Sequence, residues 1–102
     1  MAKTIHDLRN YLRSIDSNVE VYIQPPGDES MVYPCVVINT EPGDDRFADD
    51  NRYLYFKKYT FTYMYYDVDD ENVDKYLSLS MTSMDRQFKS DNLYHTTYTI
   101  YY

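Results

Sequence analysis

Residues 56–69 read FKKYTFTYMYYDVD, and the fold turns on how that run is read. Tyr59, Phe61, Tyr63 and Tyr65 fall on one side of an extended chain, and Lys58, Thr60, Thr62 and Met64 fall on the other. Alternation of period two over this length predicts a strand with one face buried. Residues 94–102, YHTTYTIYY, repeat the grammar. Tyr94, Thr96, Tyr98, Ile100 and Tyr102 share one face, and His95, Thr97, Thr99 and Tyr101 the opposite one. Two strands that each carry an aromatic face and a threonine face are expected to lie side by side. Aromatic and Thr–Thr cross-strand pairs would then support the sheet.

Upstream, residues 4–16 (TIHDLRNYLRSID) predict a helix. Ile5, Leu8, Leu12 and Ile15 recur at steps of three and four, Thr4 is a cap, and Asp7 stands near the positive helix end. Val19 to Gln24 alternate as a half-buried strand, and PPGDES after them is a turn. The run YPCVVINT (33–40) is a second strand. Its unbroken apolar centre places it inside the sheet, covered on both faces, with Pro34 tolerated only at its start. EPGDDRFADDNRYLY (41–55) is a long polar hairpin loop in which Phe47 is the odd member, an aromatic set among Asp44, Asp45, Asp49 and Asp50. Downstream, DENVDKYLSLSM (70–81) predicts a short helix capped by Asp69 or Asp70, and MDRQF (84–88) a strand entering a turn at KSDN. The expected fold class is α+β: one domain over 1–102, an antiparallel-rich sheet, and both helices packed on one face.

A chain of 102 residues supports one modest core. The net charge of −7 disfavours a role that grips nucleic-acid phosphates. The single cysteine, Cys35, can form no internal disulfide, and its apolar neighbours suit packing better than reactivity. The N-terminal sequence has no apolar run of signal-peptide length, and no window approaches a membrane span. The 14 tyrosines are more than so small a core is expected to bury with every hydroxyl paired, so some are expected to await a partner.

Catalytic chemistry finds no anchor. The two histidines, His6 and His95, have no Cys or His at ligand spacing. DVDDEN (67–72) opens like a calcium loop, but Asn72 and Ser78 stand where that loop needs glycine and glutamate, so an acidic turn capping a helix is the preferred reading. A Cys35–histidine dyad is disfavoured by the thiol's apolar setting, and two glycines are too few for a phosphate loop. The expectation is a non-enzyme without cofactor or metal.

One resemblance goes further. YPCVVI, then DDRFADDNRY, then a long strand ending in YDVD, then MDRQFKSDNLYHTTYTIYY follow one another over residues 33–102. In this order and content the chain resembles small tail terminator (tail completion) proteins of long-tailed bacteriophages. The match is most specific around Asp85, Arg86, Phe88, Asp91, Asn92 and Leu93, and it departs at Tyr94, where the pattern has a small polar residue. The resemblance implies a virion protein of the tail and neck, assembled in the host cytoplasm. It would form a ring, typically of six copies, that caps the tail tube at its head-proximal end and meets the head connector. Its partners would be other copies of itself, the tail tube protein and the connector, with genomic DNA only passing through an acidic lumen and no membrane involved. The interaction residues expected on this reading are Asp44, Arg46, Phe47, Asp49, Asn51, Arg52, Asp85, Arg86, Phe88, Asp91, Asn92, Tyr98 and Tyr102. The C-terminal strand is the expected exposed edge that joins neighbours. Two other classes compete. One is an acidic DNA mimic that blocks a host enzyme, which would need carboxylates spaced like phosphates along one face. The other is a different neck or tail completion component.

Overall fold

A computed structural model describes residues 4–23, 32–39 and 57–102. The order of elements is α1 (Ile5–Arg13), β1 (Glu20–Ile23), β2 (Cys35–Asn39), β3 (Lys58–Tyr65), α2 (Asn72–Leu77), β4 (Thr82–Ser90) and β5 (Leu93–Tyr101). The strands form one sheet in the order β1-β2-β3-β5-β4. Three of its pairings are antiparallel and one, β1 with β2, is parallel. This is the expected α+β class, a small domain with a mixed, antiparallel-rich sheet. The turn at PPGDES and the whole 41–55 loop lie outside the described residues, and with the loop go Asp44, Arg46, Phe47, Asp49, Asn51 and Arg52.

The alternation in β3 and β5 becomes register. Thr60 faces Thr99, Thr62 faces Thr97, Phe61 faces Tyr98 and Tyr65 faces Tyr94. Stacking follows: the Phe61 and Tyr98 rings lie 4.8 Å apart at 16°, and Tyr63 and Tyr65 also 4.8 Å apart at 18°. This aromatic face is the core. Leu8 and Leu12 of α1, Val73 and Tyr76 of α2, and Val21, Val36 and Ile38 of the outer strands close over it. Cys35, Val36, Val37 and Ile38 are all buried, as expected for a strand covered on both faces.

Local chemistry sets the helix ends. The Thr4 hydroxyl accepts from the Asp7 N–H, and the Asp7 carboxylate accepts the Thr4 N–H at 2.8 Å, a reciprocal cap that satisfies two otherwise orphaned groups. At α2 the cap differs from expectation. Glu71 holds the cap position and makes no side-chain cap bond. Asp70 is the residue that serves the helix end, accepting the Asn72 N–H at 2.9 Å. Its other oxygen accepts the Tyr63 hydroxyl at 2.9 Å. Asn72 also donates to Asp16 at 2.9 Å, tying the segment after α1 to α2. That bond, and the Asn18 N–H after it, hold the Asp16 carboxyl below its usual range.

β4 and β5 are joined by two residues, Asp91 and Asn92, both with positive φ (54° and 66°). That is the primed turn whose twist matches the strands, and Asp and Asn tolerate the left-handed conformation it demands. The structure corrects one expectation here. The C-terminal strand β5 is interior, hydrogen-bonded to β3 on one side and β4 on the other. On that side of the sheet the edge strand is β4, and β1 is the edge on the other.

Candidate interaction surface

The outer strand β4 is 9 residues long and exposed over most of its length. Among the described residues no strand pairs with its outer side. The two-residue turn fixes which backbone groups point outward. Ser90 and Leu93 flank the turn as a hydrogen-bonded pair, so Phe88 with His95 and Arg86 with Thr97 bond inward. The N–H and C=O groups of Gln87 and Lys89 then face out, ready to accept another strand.

The register between β4 and β5 slips by one between Met84 and Arg86, leaving Asp85 as an extra residue. The bulge turns the Asp85 carboxylate onto the threonine face, where it accepts the Thr99 hydroxyl at 2.6 Å. Next to it the Arg86 guanidinium lies 4.7 Å from the Phe88 ring centroid. Phe88 in turn stacks on His95 at 4.7 Å and 7°. A cation, an aromatic ring and an imidazole are thus layered on the open face beside the edge, and Phe88 remains 37% exposed.

The structure therefore brings Asp85, Arg86 and Phe88 together with His95, Thr97 and Thr99, and it places Asp91 and Asn92 in the turn at the tip of the same hairpin. It sets two other expected residues apart. Tyr98 is 0% exposed and donates to the Val73 carbonyl at 2.9 Å, so it is a core residue and is removed from the contact set. Tyr102 stacks on Tyr11 at 5.2 Å and donates to the Asp7 carbonyl, which binds the last residue to α1 on the covered face. Burial, and then the Asp7 charge, push its phenol up. His95 and Gln87 were not among the expected contact residues. The alternation put His95 on the threonine face, but its partner Phe88 became visible only through the register.

The reactive groups stay apart. Cys35 faces Met64, and Met64 faces His95, so the thiol and the imidazole are two strands apart, roughly 10 Å. Burial pushes the Cys35 thiol up to about 11, keeping it protonated at neutral pH. In the acidic turn, Asp67 accepts the Asp69 N–H at 3.0 Å, and Asp70 serves Asn72 and Tyr63 as described above. Among the described residues no group of three or more His, Cys, Asp or Glu could hold a metal ion. No family model, curated protein or solved structure matches this chain.

Proposed function

We propose that the chain is a structural protein of a long-tailed bacteriophage, a tail terminator that assembles with copies of itself into a ring of typically six. The ring caps the tail tube at its head-proximal end and presents a surface to the head connector. It works by shape and adhesion and makes or breaks no bonds. The reading rests on the motif order over residues 33–102. The observation that carries it is that the most specific part of that motif, Asp85, Arg86 and Phe88, lies on a long exposed edge strand. A ring subunit needs such an adhesive margin, since an open ladder supplies main-chain bonds and the side chains beside it supply selectivity. The net charge of −7 per copy suits a lumen that DNA crosses without sticking.

Electron microscopy of the purified chain mixed with tail tube protein tests the reading. The expected result is tubes of arrested length with a ring of extra density at one end. Tubes that grow without limit and carry no terminal density would overturn it.

A further inference from the structure

The outer margin of β4 is more regular than its bulge suggests. The Tyr101 N–H donates to the Met81 carbonyl at 3.1 Å, so Met81 and Ser83 bond inward, and the N–H and C=O groups of Thr82 and Met84 face out. With Gln87 and Lys89 they make four outward positions. Their partners on β5 are Ile100, Tyr98, Thr96 and Tyr94, an unbroken series of two-residue steps. The extra residue at Asp85 is taken up between Met84 and Gln87, so the outward positions keep one spacing along the edge.

This margin is complementary to itself. Let a second β4 run antiparallel beside the first, about a two-fold axis between Asp85 and Arg86. Thr82 of each copy then meets Lys89 of the other, and Met84 of each meets Gln87 of the other, so every outward group finds a partner. No other antiparallel self-register matches all four positions. An axis at Phe88 pairs only Gln87 with Lys89. An axis at Gln87 sets Lys89 against Asp85, which lies in the bulge.

Charge points to the same register. It brings the Asp85 carboxylate of each copy beside the Arg86 guanidinium of the other. Both side chains are exposed and stand on the open face, Asp85 against Thr99 and Arg86 against Phe88. Among the described residues neither makes an ion pair within its own chain. Lys89 meets a threonine, so no like charges face each other across the pair.

We infer that two copies of this chain pair through β4, antiparallel and in this register, joining two five-stranded sheets into one. The contact is isologous: it uses the same patch on both copies and leaves no β4 margin open for a third. It shelters in the free chain an edge that would otherwise invite aggregation. The inference does not rest on the ring reading. A chain that enters a ring through β4 first gives up its two-fold mate.

The test uses the purified full chain without tail tube protein. Sedimentation at rising concentration should give a mass that climbs to twice 12.3 kDa and stops there. In a mixture of isotope-labelled and unlabelled chains, NMR filtered for contacts between copies should show the Ser83 Hα against the Phe88 Hα, the close approach of a non-hydrogen-bonded antiparallel pair. Asp85→Arg and Arg86→Asp each set like charges face to face twice, so each variant alone should dimerise roughly tenfold more weakly. Mixed together, the two variants restore both opposite pairs, and dimer should return. A chain monomeric at millimolar concentration overturns the inference, as does a mass that grows past the dimer. Contacts of Phe88 with Phe88 across the copies, or a mixture that pairs no better than its parts, overturn the register. If the dimer forms but the chain never caps a tube, the ring reading is overturned and this inference stands. If the chain caps tubes yet shows no dimer, this inference is overturned and the ring reading stands.

Discussion

The sheet has two edges, and the chain treats them differently. At one edge β1 has 4 residues, and its Val21 carbonyl is taken by the Arg9 Nε–H at 3.1 Å. Glu20 beside it faces Arg13 at 3.8 Å. Helix α1 thus reaches over and occupies that margin with its own side chains. At the other edge β4 has 9 residues, and its outward groups at Gln87 and Lys89 meet no strand among the described residues. Open ladders invite aggregation, and proteins usually shorten, charge or cover them. Here one edge is shortened and covered, while the other, among the described residues, is bulged and charged at Asp85, Arg86 and Lys89. The contrast teaches that α1 closes one edge of the sheet, while among the described residues no strand closes the other.

The contrast can be broken in several ways. The largest effect is expected at Tyr98, which anchors β5 and through it β4. Tyr98→Ala should cost about 3–5 kcal/mol, measured by urea denaturation, because the cavity and the lost Val73 bond add. Recovery of most of that stability by Tyr98→Phe would show that packing outweighs the hydroxyl. Proline scanning of β4 comes next. Phe88→Pro removes an inward ladder bond and should cost about 3 kcal/mol, whereas Gln87→Pro removes an outward N–H and the long side-chain bond to Thr96 and should cost about 1 kcal/mol while impairing assembly. Equal costs at the two positions would mean that the outward assignment is wrong. Arg9→Ala should destabilise the domain by about 1 kcal/mol by uncapping Val21, with no effect on tube capping.

Smaller still is a pH effect. The folded carboxyl of Asp16 titrates below its unfolded value, so the stability it lends is present above the unfolded range and lost as pH falls through the folded value. Asp16→Asn should lower thermal stability at neutral pH and flatten its decline in acid. An unchanged acid slope would dissociate Asp16 from that decline. The smallest effect is expected at the turn. Asn92→Gly should leave stability within about half a kcal/mol, since both residues accept positive φ there.

What the sequence displayed follows from where the information lies. β3 and β5 were legible because period-two alternation is local, and the pairing of their faces needed only the Tyr and Thr rows. Strand order was not, because edge and centre differ in hydrogen bonding and not in side-chain pattern. The run TSMDRQFKS has few apolar residues, and its bulge at Asp85 breaks the alternation that would have marked its length. The parallel β1–β2 pair likewise leaves no local trace. On the candidate surface, Asp85, Arg86 and Phe88 were expected from the resemblance, while their neighbours His95 and Gln87 required the register. Tyr98 was misplaced because an aromatic row reads the same whether a helix or another molecule covers it.

The phenols sealed beneath the helices have an optical consequence. Tyr63, Tyr76 and Tyr98 are pushed well above the ordinary tyrosine value of 10.0, in each case mainly by burial. They are neutral in the native fold where an unfolded chain would already ionise, so their stabilising share is intact in weak base and drains away as pH climbs beyond 10. With no tryptophan to obscure them, the ionisation of these three phenols is expected to show in the alkaline absorbance as a late, cooperative step that coincides with collapse of the native state.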